Sequence, residues 1–479
     1  MAIMVVICTA LLAGLAGGAA AARPNSRWNG RAAVPGSQLW VSRYNGPASG
    51  VSARDAASSV AVSPSGNAVY VTGDSNGTSS RQDYATVAYN AATGAELWAS
   101  RYNGPGNSAD QARQVAVSPD GDTVFVTGAS NGGGSGPDYA TVAYAAATGA
   151  QLWASRYTGP GRRRDGAYSL AVSPDGATVF VTGGSQGITS GSDYATVAYN
   201  AATGAQRWVR RYNGPANRDD IASAVAVSPD GHSVIVTGTS TGGRSGQDYA
   251  TVVYNAATGA RRWVSRYTGP GDRRDIAAAL AVSPGGHSVF VTGASTGATS
   301  GKDYATVAYN AATGAQRWVR RYNGPKNGND SASSVAVAPG GHTLYVTGGS
   351  VTTFGLDYAT VAYNAATGGR RWVSFYDNGG FADVATAVAV SSDGNTVYVT
   401  GRGSYSPQGT NIVTYEYATV AYDGATGTQR WVSRYQGPGH LDRAASLAVA
   451  PAGDAVYVTG ESLGDISTNL DYATVAYNG

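Results

Sequence analysis

Residues 114–157 read QVAVSPDG-DTVFVTGASN-GGGSGP-DYATVAYA-AATGA-QLWASRY, and the same order of landmarks recurs eight times along the chain. The last landmark fixes the period. Trp98, Trp153, Trp208, Trp263 and Trp318 lie 55 positions apart, Trp372 and Trp431 follow with small drifts, and Trp40 begins the series. A unit of this length that cannot bury a core alone must stack on its neighbours, so the sequence describes a repeat architecture rather than a string of separate domains.

Each unit contains four short runs of strand composition separated by turn residues, and no stretch has a helical apolar period. In the quoted unit the expected strands are 114–118, 123–128, 139–144 and 151–157. Along the third, Tyr139, Thr141 and Ala143 alternate with Ala140, Val142 and Tyr144, so neither face is strongly polar. Such a strand belongs to a sheet covered on both sides, which neighbouring blades of a β-propeller provide. Ser118-Pro119-Asp120-Gly121 forms a tight turn between the first two strands, Pro presetting φ and Gly accepting a positive one. About 11 residues then separate the fourth strand from the next unit, and about nine the second from the third. These longer connections share one face of the disc.

The series opens with Pro35-Gly36-Ser37-Gln38-Leu39-Trp40, a fourth strand without its blade, and stops at Tyr477-Asn478-Gly479, just after a third strand. The expected fold is therefore all-β: an eight-bladed propeller, four antiparallel strands per blade, closed by the N-terminal strand completing the last blade and leaving no long open edge.

The run Ala88-Tyr89-Asn90-Ala91-Ala92-Thr93-Gly94-Ala95-Glu96-Leu97-Trp98 resembles the tryptophan-docking motif of pyrroloquinoline quinone (PQQ) dehydrogenase propellers, A-x-D-x-x-T-G-x-x-x-W, with Asn90 replacing the Asp. The longer pattern through Arg101-Tyr102-Asn103-Gly104-Pro105, Asp110 and Val126-Thr127-Gly128 is similar to the secreted bacterial β-propeller repeats known as SBBP. That similarity spans nearly all of 36–479. The resemblance implies the fold and a PQQ-like repeat; it does not imply one activity, since docking-motif propellers include dehydrogenases and plain scaffolds. The quinone enzymes often place a disulfide of adjacent cysteines beside the cofactor, and no cysteine pair exists here. The docking tryptophans Trp40, Trp98, Trp153, Trp208, Trp263, Trp318, Trp372 and Trp431 are assigned to packing, each indole covering the next blade while its N–H finds an acceptor.

Residues 1–22 carry no charge after Met1, with an apolar run over 3–15 and small residues at Ala19 to Ala22. They are expected to be a secretory signal, although no Lys or Arg precedes the apolar run; an uncleaved anchor is the alternative. Residues 23–35 form a short linker and 36–479 the propeller. The one cysteine, Cys8, lies in the signal. The mature chain then excludes disulfides, Cys-ligated zinc and thiol nucleophiles together. A net charge of +3 gives no sign of nucleic-acid binding.

Regularity itself argues against catalysis, which needs an acid once per site. An Asp precedes every first strand (Asp55, Asp110, Asp165, Asp220, Asp275, Asp330, Asp383, Asp442), and another acid opens every third strand, from Asp83 and Asp138 to Glu416 and Asp471. Loop capping accounts for this pattern. Calcium is the alternative, without any D-x-[DN]-x-[DN]-G spacing to carry it. His232, His287 and His342 occupy equivalent turns too far apart to share a metal, and His440 stands alone. No metal or other cofactor is expected.

Departures from the repeat mark the candidate site. Arg162, Arg163 and Arg164, then Arg218, then Arg273 and Arg274 form a basic arc across three successive long loops, interleaved with Asp165, Asp219, Asp220, Asp272 and Asp275. In the seventh unit Asp377-Asn378-Gly379-Gly380-Phe381 replaces the usual Asn-Gly-Pro, and an enlarged loop over 402–415 carries Tyr405 and Tyr415. The function expected is a secreted, monomeric, non-enzymatic module that binds or scaffolds an extracellular protein or polysaccharide. A glycan-binding lectin and a top-face hydrolase or lyase are the alternatives.

Overall fold

In the computed structural model, described for residues 34–48, 54–134, 136–243, 246–271, 273–353, 355–379, 382–405, 413–464 and 470–479, the chain forms eight four-stranded antiparallel sheets. The expected signal, most of the linker, Asp272 and Phe381 lie outside these residues. No helix of the described residues is long and apolar enough to cross a membrane. Blades 1 to 7 cover 55–102, 110–157, 165–212, 220–267, 275–322, 331–376 and 384–435; blade 8 joins 442–478 to Gln38–Tyr44.

The strands are longer than composition suggests. In blade 2 they are Asp110–Val117, Thr123–Asn131, Pro137–Ala145 and Gln151–Tyr157, which shortens the long connections to 103–109 and 132–136. Asp110 and Ser130 pair across the first two strands, so the polar ends that look like loop are ladder. First strands of neighbouring blades touch one another, which places them around the central channel.

The third strand is buried on both faces, as Pro137–Ala145 shows throughout its interior. Its first tyrosine ties the ring together. Tyr139 donates its hydroxyl to the Ala195 carbonyl of the next blade at 3.1 Å, and Tyr472 of blade 8 donates to Ala85 of blade 1 at 3.2 Å. Sequence periodicity shows this residue as core; only the structure shows that its hydroxyl counts as an inter-blade bond.

A bulge between Ala143 and Tyr144 on the pairing with the fourth strand turns Trp153 inward and leaves Leu152 53% exposed. Seven docking indoles donate Nε1 to a backbone carbonyl of the following blade, from Trp40 to Ala91 (2.9 Å) through Trp98 to Ala146 (2.8 Å) to Trp372 and Gly424 (3.1 Å). The ring packs against the Thr-Gly turn. At Gly149, φ is +71° and an added Cβ would come within 2.6 Å of the Trp98 ring, so glycine is required twice over.

Candidate functional site

The repeated polar groups are engaged with one another. Asp110 accepts the Gly104 amide (2.6 Å) and the Asn131 amide (2.8 Å), tying both long connections of a blade to one carboxylate. Asp165, Asp220 and Asp275 do the same. The acids opening the third strands behave differently: Asp138 pairs with Arg156 of the fourth strand at 3.0 Å, and the same guanidinium reaches the Ser130 hydroxyl (2.6 Å), the Ser130 carbonyl (2.7 Å) and Tyr102 of the preceding blade (3.3 Å). Sequence reading missed this arginine, although Arg recurs three residues after each Trp except at one position. All four histidines named above are exposed.

The arginines of the basic arc lie in the long connections before blades 3, 4 and 5. Arg162, Arg163, Arg164, Arg218, Arg273 and Arg274 are exposed, and none forms an ion pair among the described residues. Arg274 Nε donates to Gln247. The interleaved Asp165, Asp220 and Asp275 are buried and accept amides of their own loops, while Asp219 is exposed beside Arg218. Arg162 has φ +47° at the turn position where Asn107, Asn217 and Asn327 also take positive φ, a conformation that Asn tolerates better. It lines a shallow cleft with Gly134, Thr158, Gly159 and Pro160.

Tyr405 and Tyr415 are not one surface. Ser404 pairs with Tyr415 and Tyr405 with Thr414, so strand alternation sends the two rings to opposite faces of the hairpin. Tyr405 is 40% exposed. Tyr415 faces blade 8, with the guanidinium of Arg402 4.8 Å and that of Arg443 5.5 Å from its ring centre.

That contact leads to a site the sequence reading did not assemble. Two positions at the long-loop end of the channel, the second residue of the first strand and its partner on the second strand, hold small or uncharged residues in blades 2 to 5, such as Gly166 with Gly184 and Ile221 with Thr239. In blades 7, 8 and 1 they hold Arg402, the pair Arg443 and Glu461, and Asp74. Glu461 bonds Arg443 at 3.2 Å and Arg54 at 3.0 Å. Burial pushes the Asp74 carboxyl up to about 6, Glu461 adding to the rise while Arg54 and Arg113 hold it down. The Arg402 Nε is buried without a hydrogen-bond partner among the described residues. One sector of the channel mouth thus carries an excess of guanidinium over carboxylate, while Tyr168 and Ile221, each 39% exposed, give the other an apolar character. The signal was present in the sequence as charge at otherwise neutral repeat positions, but the alignment of those positions around one opening is a property of the ring.

Among solved structures the chain is similar to the Sqt1 propeller of Chaetomium thermophilum bound to the N-terminus of ribosomal protein L10 (14% identity, 89% of this chain and 97% of that one, TM-score 0.58). It is similar also to the quinohemoprotein alcohol dehydrogenase of Comamonas testosteroni (12%, 92% and 76%, TM-score 0.54) and to a europium-containing methanol dehydrogenase (12%, 92% and 93%, TM-score 0.54). At these identities the likeness shows the fold alone. No curated protein matches in sequence. A family model does, over residues 28–277, 83–337 and 250–405, overlapping registers of the kind a repeat produces. With most of its length matched, the chain belongs to the family described as outer membrane protein assembly factor BamB, with its PQQ-like repeats.

Proposed function

We propose that this chain is a secreted, non-enzymatic propeller that binds an acidic segment of an extracellular protein at the mouth of its channel, residues 1–22 acting as a removable signal and 23–35 as a linker. The observation that carries the reading is the charge at one pair of repeat positions around the channel mouth: Arg402, Arg443, Glu461 and Asp74 stand where blades 2 to 5 are neutral. The polar groups repeated in every blade maintain the ring and leave little for chemistry on a substrate. The Arg443 guanidinium, whose side chain is 52% exposed, can bind an incoming carboxylate with directional bonds. Rigid strand ends hold these groups, so the site is preorganised.

The basic arc at Arg162 to Arg164, Arg218, Arg273 and Arg274 lies on the same face and supplies a second contact for a partner long enough to cross it. The polysaccharide reading is less favoured, because two guanidiniums already lie over the ring of Tyr415. The test is capture from the native extracellular fraction with the mature chain, an Arg402→Ala/Arg443→Ala variant and a variant neutralised at 162–164. A specific protein lost with the first variant and weakened by the second supports the reading. Equal recovery by all three chains, or specific retention on a neutral glycan, would overturn it.

A further inference from the structure

Seven blades place an arginine of the fourth strand against the acid that opens the third: Arg43 with Asp471, Arg101 with Asp83, Arg156 with Asp138, Arg211 with Asp193, Arg266 with Asp248, Arg321 with Asp303 and Arg434 with Glu416. Blade 6 keeps the acid, Asp357, and loses the cation. Phe375 stands at the arginine position, 42% exposed, while Asp357 is 3% exposed.

One buried atom records the loss. In blade 5 the guanidinium of Arg321 spans the Ser295 hydroxyl (2.5 Å) and Asp303 (2.6 Å). Their counterparts Ser350 and Asp357 also pair directly across two strands, so both side chains face the space that the guanidinium fills elsewhere. Ser350 is fully buried and its Oγ has no hydrogen-bond partner among the described residues. Asp357 Oδ2, the counterpart of the oxygen that takes Arg321 in blade 5, accepts from Thr352. A buried carboxylate without a cation is costly, and at this third-strand position each of the other seven blades supplies an arginine.

Further acids converge on the same place. Asp377 follows Tyr376 where Asn103, Asn213 and Asn323 follow the equivalent tyrosines, and Asp383 precedes the first strand of blade 7. Asp383 accepts the amides of Asn378 (2.7 Å) and Ser404 (2.5 Å), and Asp377 that of Gly379 (2.7 Å). One carboxylate oxygen each from Asp357, Asp377 and Asp383 lies within 4.8 Å of the other two. Desolvation, with the mutual repulsion of these groups, raises the carboxyls of Asp357 and Asp383.

We propose that blade 6 binds a calcium ion between Asp357, Asp377 and Asp383, in the space that the other blades give to a guanidinium. An all-oxygen donor set drawn from three separate segments suits a hard cation with flexible geometry. Bonds of about 2.4 Å let one ion span oxygens about 4.8 Å apart, whereas magnesium, at about 2.1 Å and with strict octahedral angles, reaches less far. Exposed Asp377 leaves room for water to complete the shell. The missing D-x-[DN]-x-[DN]-G pattern is no obstacle, since the ligands come from a strand start, a blade exit and the next blade's first loop.

The test uses the full chain freed of metal with EGTA, followed by calorimetric titration and thermal unfolding with calcium or magnesium. The expected result is one calcium bound per chain, a higher Tm with calcium, and a smaller response to magnesium. Phe375→Arg should restore the ion pair to Asp357, abolish the calcium response and raise the Tm of the metal-free chain. Asp377→Asn, at an exposed position, should fold normally and lose about tenfold or more in calcium affinity, equivalent to at least about 1.4 kcal/mol. No calcium bound by the wild-type chain, or unchanged affinity in Phe375→Arg, would overturn the proposal.

Discussion

Gly36 donates its amide to the Asn478 carbonyl at 2.9 Å, the bond by which Gly94 closes on Asn90 at 2.8 Å inside an unbroken blade. The two ends of the propeller therefore meet in the middle of a hairpin turn that every other blade makes within one stretch of chain. Around that junction the usual contacts persist: Asn478 donates to Ser37 (2.9 Å), and Ser433 reaches the Gly36 carbonyl as Ser100 reaches Gly149.

Deletion of residues 36–44 should destabilise the whole ring. It removes the fourth strand of blade 8 and with it Trp40, which is 8% exposed and donates to Ala91 of blade 1. Loss of a buried Trp alone costs about 3–5 kcal/mol, and the exposed edge of the third strand adds to it. Thermal unfolding should show a clear drop in Tm. An unchanged midpoint would mean that the strand is not what closes the ring.

Within the ring, Trp208→Phe and Trp208→Ala separate the hydrogen bond from the packing. The bond from Nε1 to the Ala256 carbonyl, 2.9 Å, accounts for about 1 kcal/mol. Truncation to Ala removes most of the apolar contact as well and should cost about 3–5 kcal/mol. Denaturant unfolding at constant m-value distinguishes the two. Equal losses for Phe and Ala would assign the whole effect to the N–H.

Fold and closure were legible because they depend on features that a linear period preserves: the Trp spacing, the Pro-Asp-Gly turns and the broken hairpin at Gly36 and Asn478. The capping role of Asp110 was legible for the same reason, since a short side chain beside a turn has few other partners. The bond between Arg156 and Asp138 was not, because an arginine in a strand pattern looks like a solvated face until the pairing register places it over a buried acid. The channel-mouth cluster was hidden further still. Asp74 and Arg402 are more than three hundred positions apart in sequence, and only the ring brings blades 7 and 1 to the two sides of blade 8.

Arg266→Met should be among the more damaging single changes outside the apolar core. Its guanidinium is 2.7 Å from Asp248, whose side chain is only 2% exposed. Removing one partner of a buried pair costs about 3–5 kcal/mol, whereas replacing both can cost far less. The double variant Arg266→Met/Asp248→Asn should therefore recover much of the loss. A double-mutant cycle in denaturant measures the coupling, and additive losses would show that the pair does not act as a unit.

Asp74 should give the channel mouth a pH dependence near 6. Its carboxyl moves from the ordinary 3.8 to about 6 in the folded protein. Between these values the folded state keeps a proton that the unfolded state releases, so this group's contribution to stability falls as pH rises through the window and is level above it. The full displacement corresponds to about 3 kcal/mol. Asp74→Asn removes the penalty: its stability relative to wild type should increase from pH 4 to about pH 6.5 and then stay constant, as denaturant unfolding at each pH would show. Below pH 6 the neutral carboxyl also stops competing for Arg54 and Arg113, so capture of an acidic partner should strengthen there in the wild-type chain and change less in the variant. A stability difference independent of pH would place the titration of Asp74 outside this range and remove the reason for acid-enhanced binding.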